Sequence, residues 1–136
     1  MAGKKPLPQP NAITRPFWDG CAAGRFLIQH CRQCGHRQFP PRLACVNCHA
    51  TGLDWQEASG RGTIYSFTIV HRAPLEAFAP DVPYVIAIVE LEEGVRAMMN
   101  VRGADAATLR IGLPVEITYE PTEAGAPPLP QARPGS

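Results

Sequence analysis

No run of apolar residues in this chain approaches the roughly 20 needed to cross a bilayer, which excludes a membrane-spanning helix. Neither sign of charge is in excess. The 13 Lys and Arg against 12 Asp and Glu leave a formal net charge of +1, without the strong basic bias that phosphate-backbone binding produces. Nucleic acid is therefore a disfavoured partner. A G-x-S-x-G elbow, a P-loop, a Rossmann fingerprint and an acid/base pair at a motif spacing are all missing, so the common enzyme signatures give no catalytic assignment. No internal repeat is visible. The start, Met1-Ala2-Gly3-Lys4-Lys5-Pro6, is basic but lacks the apolar stretch of a signal peptide, so the expected location is the cytoplasm. At 136 residues there is room for one ordinary domain, or for a metal-stapled module on a modest core.

What the chain does have is cysteine in a pattern. Four of its 5 cysteines form two C-x-x-C pairs, Cys31/Cys34 and Cys45/Cys48. In a reducing compartment such pairs point to metal rather than to disulfides. Each pair can aim two thiolates at one point from a tight turn, and Gly35 and the Asn47-Cys48-His49 corner supply the turn chemistry. Zinc suits four thiolates because a tetrahedral site needs neither redox chemistry nor an open position. Iron in a rubredoxin-like centre is the rival, and spacing alone does not separate the two. A closed four-cysteine shell leaves no place for water or substrate, so the expected role of the metal is scaffolding. His36 and His49 then read as turn histidines outside a filled shell. The remaining Cys21 reads as a small buried apolar residue near a helix.

The organisation follows from punctuation. Residues 1–12, with prolines, lysines and no periodicity, read as a flexible arm, and residues 121–136 as a disordered Pro-rich tail. Residues 13–24 hold a short helix through Phe17, Trp18 and Cys21, capped by Thr14 and ended by Gly24. Residues 25–53 form the zinc ribbon. Residues 54–120 carry short β-branched and aromatic runs between Gly and Pro, the pattern of an all-β unit. Strands are expected near Leu53–Ala58, Gly62–Arg72, Tyr84–Leu91, Val95–Arg102 and Pro114–Tyr119, with a hairpin at Glu92-Glu93-Gly94. In the second of these, Tyr65, Phe67 and Ile69 share one face by alternation and Ile64 falls on the other. The fold class is thus mainly β: a short N-terminal helix and a metal ribbon, followed by a small five-stranded OB-fold barrel, with a split sandwich as the alternative.

The residues from about Phe17 to Tyr119 resemble the DUF35 family. The likeness is carried by Phe17-Trp18, by Arg25-Phe26-Leu27-Ile28-Gln29-His30-Cys31 and the four cysteines, and by the segment Gly60 to Arg72. Pro83 to Leu91 and Arg110 to Glu116 complete it. That resemblance implies a rubredoxin-like zinc ribbon before an OB-fold. It also implies work beside a thiolase-superfamily enzyme (a thiolase, acyltransferase or aldolase) as a non-catalytic subunit of a hetero-oligomer that helps to form the site for an acyl-CoA substrate.

Where a CoA ester touches the chain follows from its chemistry, since its phosphates and apolar arm call for cations beside aromatic surface. Tyr65, Phe67, His71 and Arg72 are the best such group, and Phe17 and Trp18 are candidates for an anchor in the partner. The same residues read blandly as a core strand with a polar end and as hydrophobic cover. A rival function, a single-stranded nucleic-acid module, rests on the general use of ribbons and OB strands and would draw on Arg25, Arg32, Arg37, Arg42, Arg61 and Arg72.

Overall fold

The computed structural model describes residues 7–105, 107–122 and 126–135. Residues 1–6 of the expected arm, and 123–125 and 136 of the expected tail, lie outside the described residues.

Helix α1 spans Arg15–Ala22, with Pro16 tolerated in its first turn where no intrahelical N–H is required. Thr14 precedes it but gives no side-chain cap. Asn11 organises the turn instead, its Oδ1 accepting from the Ile13 and Thr14 amides at 2.9 Å each. Gly24, at φ +74°, reverses the chain after the helix, and the Arg25 amide reaches back to the Gly20 carbonyl at 2.8 Å.

Three strands, β1 (Leu27–Cys31), β2 (Arg37–Gln38) and β3 (Leu53–Glu57), form an antiparallel sheet in the order β2-β1-β3. The remaining strands, β4 (Arg61–Val70), β5 (Tyr84–Leu91), β6 (Arg96–Val101), β7 (Pro114–Glu120) and β8 (Leu129–Pro134), form a closed barrel in the order β4-β5-β6-β8-β7. All its pairings are antiparallel except β6 with β8. A barrel of five strands with this one parallel pair is the OB-fold.

The count of five was right and one member was not. The strand at Leu53–Glu57 belongs to the ribbon sheet, pairing with β1 from Leu27↔Glu57 to Cys31↔Leu53. The fifth barrel strand comes from residues 129–134, inside the expected disordered tail. Composition misleads there because two prolines flank a short pairing segment. Pro130 and Pro134 sit near its two ends, while Gln131 and Ala132 between them are buried against β6 and β7. Proline at strand ends removes few ladder bonds, whereas a composition rule weighs it everywhere alike.

Tyr65 corrects the expected face pattern. Between Ile64↔Val89 and Ser66↔Ile88 the register shifts, leaving Tyr65 as the extra residue of a β-bulge. The bulge turns Phe67 and Ile69 to the same inner side as Ile64, opposite the buried Ala87 and Val85, and leaves Tyr65 outside under the Arg96 guanidinium at 3.8 Å. Upstream, Gly62 is required by close approach, because a Cβ there would lie 2.3 Å from the Glu90 carbonyl oxygen.

One hydrophobic core joins both modules. Phe17, Cys21, Phe26 and Ile28 from the helix and ribbon are continuous with Ile64, Val89, Leu91 and Val115 of the barrel. Phe17, Phe26 and Phe39 pack edge-on or tilted with centroids 5.1 to 5.3 Å apart. No helix among the described residues is long and apolar enough to cross a membrane.

Candidate metal centre

The four sulfurs converge as their spacing predicts. The ligand atoms of Cys31, Cys34, Cys45 and Cys48 all lie within 4.8 Å of one another, and two opposite pairs, Cys31–Cys48 and Cys34–Cys45, are each 3.6 Å apart. A tetrahedron of sulfurs with metal–sulfur bonds of about 2.3 Å has edges of about 3.8 Å, so the cluster fits a single ion with four thiolates. At these distances the four cysteines are free thiols, not disulfides.

The two turns that carry the ligands are built alike. At the first, the Cys31 amide donates to the His36 carbonyl at 2.8 Å and the Gly35 amide to the Cys31 carbonyl at 2.9 Å. At the second, the Cys45 amide donates to Ala50 at 2.8 Å and the His49 amide to Cys45 at 2.9 Å. Each repeats a left-handed residue at the same place, Gly35 at φ 79° and His49 at φ 66°. His36 and His49 are exposed and outside the ligand cluster. Donors also point at the sulfurs. Asn47 Nδ2 reaches Cys34 Sγ at 3.5 Å, and the Cys34 and Asn47 amides reach Cys31 Sγ and Cys45 Sγ at 3.5 and 3.4 Å. The Asn47 amide side chain, followed by the His36 backbone, pulls the Cys34 thiol down to about 6. Backbone donation from Cys34 lowers Cys31 as well, so both thiols of the first turn lean toward thiolate, the form that binds metal. Cys48 goes the other way: against the Ala50 backbone donor, burial and hydrogen bonding to the other three thiols push it up to about 12.

Two glutamines that composition did not single out hold the second turn in place. Gln29 and Gln38 are paired in register across β1 and β2, and the Gln38 amide donates to Gln29 Oε1 at 2.8 Å. Gln29 also binds both the carbonyl and the amide of Arg42 at 2.9 and 2.8 Å, while Gln38 takes the Ala44 carbonyl at 3.2 Å and the Val46 amide at 2.9 Å. Both are buried, and their polar atoms are satisfied. The signal was present as polar residues on alternating strands beside cysteines, but nothing local to either glutamine names its partner.

The expected CoA-contacting residues do not converge. Tyr65 is 45% exposed on the outer wall, whereas Phe67 faces inward. His71 and Arg72 are exposed beyond the far end of β4, about 20 Å from Tyr65 at the rise of a strand. Phe17, a candidate anchor in the partner, is 4% exposed and belongs to the chain's own core; Trp18 packs on it edge-on at 4.9 Å and is half-buried. Between ribbon and barrel lies a cleft of about 300 Å³ lined by Arg25, Glu57, Arg61, Glu116 and Tyr119 among others. Its arginines are matched, Arg25 by Glu57 and Arg61 by Glu92, so it presents no free cation to a phosphate.

A four-cysteine ribbon fused through one core to an OB-fold barrel defines a class of small metal-stapled β domains. Residues 18–54 match the family model described as the ChsH2 rubredoxin-like zinc ribbon domain, and residues 55–120 that of the ChsH2 C-terminal OB-fold domain. The chain belongs to the DUF35 family.

Among relatives, a DUF35 domain-containing scaffold protein of Methanothermobacter thermautotrophicus is 39% identical over 90 residues, covering 65% of this chain and 67% of its own length. The 3-oxo-4,17-pregnadiene-20-carboxyl-CoA hydratase alpha subunit of Mycobacterium tuberculosis is 42% identical over 118 residues, 81% of this chain but 37% of that protein. The chain thus spans little more than a third of that relative. The benzoylsuccinyl-CoA thiolase subunit BbsA of Geobacter metallireducens is 31% identical, over 67% of this chain and 59% of its own. A solved structure, the Ltp2-ChsH2(DUF35) aldolase, superposes with a TM-score of 0.83 at 33% identity, covering 93% of this chain and 98% of that one.

Proposed function

We propose that the chain is a non-catalytic subunit that binds a thiolase-superfamily enzyme and helps to form its acyl-CoA site, with zinc as the structural metal. The observation that carries this reading is the likeness, over nearly the whole chain, to the DUF35 component of an aldolase assembly. Relatives named as subunits of a CoA-ester hydratase and of a thiolase support it. The closed four-thiolate cluster agrees, since it leaves the metal no open position for catalysis. Tyr65, His71 and Arg72 lie on open surface in the isolated chain, so the walls of a CoA site come from the enzyme subunit, with Arg72 supplying a cation and His71 a hydrogen-bonding group at its edge.

Affinity purification from the native host with mass-spectrometric identification tests the reading. Recovery of a thiolase-superfamily protein in near-stoichiometric amount is the expected result. Recovery of nucleic acid, or of no acyl-CoA enzyme, overturns it.

A further inference from the structure

The second cysteine turn displays two large apolar side chains to solvent, Leu43 at 73% and Val46 at 57% exposure. Exposed apolar residues taken singly need no explanation. These two differ because their backbone is fixed from beneath: the amide or carbonyl groups of Arg42, Ala44 and Val46 are held by the buried Gln29–Gln38 pair, and Cys45 between them is a buried member of the metal cluster. A side chain shown on a rigid loop loses little further entropy when a partner covers it.

The electrostatic setting is one-sided. From Gly20 to Leu53 the sequence contains no Asp or Glu but has the arginines Arg25, Arg32, Arg37 and Arg42. A divalent ion among four thiolates contributes two negative charges, and the segment remains cationic. Arg25 and Arg32 are answered by Glu57 and Asp54 at the ribbon's barrel side. Arg42, next to Leu43, has no carboxylate partner among the described residues, and only its backbone is engaged. On the barrel, by contrast, Glu90, Glu116 and Glu120 are each matched by an arginine.

We infer that Arg42, Leu43 and Val46 form the knob by which the ribbon docks into an apolar, carboxylate-rimmed groove of the enzyme subunit. This rests on the reading of the chain as a subunit of an acyl-CoA enzyme. An apolar centre with a polar, charged margin is the anatomy of a protein interface, and Arg42 is of a residue type enriched in hot spots. A small-molecule site is disfavoured there because both side chains stand out to solvent and such ligands take concave pockets. Arg42 leaves a positive charge beside the apolar pair that a carboxylate on the partner's rim complements.

The test uses the purified enzyme subunit that co-purifies with the full chain, once identified as a thiolase-superfamily protein. Leu43→Glu, Val46→Glu and Arg42→Glu are compared with Met98→Glu, which places the same charge on an equally exposed barrel residue (73%). Metal content and melting temperature confirm that each variant is folded. Each ribbon variant is expected to weaken Kd about tenfold or more, Met98→Glu less than about twofold, and added salt to weaken the native chain more than Arg42→Glu. Ribbon variants that bind like the native chain overturn the docking surface while leaving the subunit reading intact. So does a chain that self-associates through Leu43. A native chain that captures no such enzyme fails earlier and takes both with it.

Discussion

Val101 and Ala132 lie side by side in parallel register, and this pairing joins β6 to β8 and closes the barrel. The Arg102 amide donates to the Ala132 carbonyl at 2.8 Å, and outside it Arg102 binds Gln131 and Glu120, which also bind each other. Ala132 is fully buried. Ala132→Asp would put an uncompensated charge there and is expected to cost about 3 to 5 kcal/mol. Ending the chain after Pro121 would leave β6 and β7 with open edges and is expected to abolish cooperative unfolding of the barrel. Thermal melts of both variants check this, and a truncated chain that melts like the intact one would return residues 129–134 to the status of a loose tail.

Metal and fold are coupled through Cys31 and Cys45, both buried where the ligand turns meet the ribbon sheet. Cys31→Ser or Cys45→Ser is expected to lower metal content from one ion per chain to near none and to melt the ribbon first, because a preformed site does not exist in the unfolded chain. Since Phe26 and Ile28 share the barrel's core, the loss should also lower the barrel's melting temperature. Elemental analysis with a melt of each variant decides. The same analysis on the native chain separates zinc from iron, and a red iron-containing protein would displace zinc.

His49 holds a left-handed backbone at φ 66° where the equivalent residue of the first turn is Gly35. A side chain in that conformation costs about 1 to 2 kcal/mol relative to the ordinary helical region, and glycine removes most of it. His49→Gly is expected to keep full metal content and to be as stable as the native chain or more so. Metal loss in that variant would mean that the imidazole contributes to the site.

Much of this architecture could be read from residue order, and the parts that could not share a cause. The cysteine spacing names its own partners, because four ligands must meet at one point. The Glu92-Glu93-Gly94 hairpin does so too, with Gly94 at φ 89° and the Gly94 amide bonded to Leu91 at 2.8 Å. By contrast, β3 and β8 were misassigned because a strand's sheet is chosen by distant neighbours. Leu53–Glu57 has the same local pattern whether it pairs with β1 or with a barrel strand. The Tyr65 bulge hid in the same way: one extra residue reverses the alternation after it. Thr14 lost the helix entry to Asn11 because either side chain can cap, and the turn between them decides.

Burial pushes the Cys21 thiol up to about 12, well above its ordinary value of 9.0. The folded state therefore holds this proton to a higher pH than the unfolded state does. Stability is fully present below the unfolded value and falls as pH rises above it, by up to about 1.4 kcal/mol per unit until the folded value is reached. Cys21→Ala should melt lower at neutral pH, because it leaves a small cavity, yet lose less between pH 9 and 11. At neutral pH Cys21 should resist alkylation until denaturant is added, while a chelator exposes the four ligand thiols. Rapid labelling of Cys21 in the native chain would contradict its placement in the core.

Phe17 and Trp18 are adjacent in sequence and differ in duty. Phe17 is enclosed by Phe26, Phe39 and Trp18, so Phe17→Ala is expected to cost about 3 to 5 kcal/mol of stability, the usual penalty for an aromatic removed from a core. Trp18 covers the edge of that cluster and keeps an open side beside α1. If the enzyme subunit closes over that side, Trp18→Ala should weaken the complex by more than it weakens the fold, since truncating an interface aromatic commonly costs about 2 kcal/mol or more. Melting curves and Kd measured on the same preparations separate the two roles. A Trp18→Ala variant that loses stability and affinity in equal measure would make the tryptophan cover for the cluster alone, and the docking contacts would then rest on the ribbon knob.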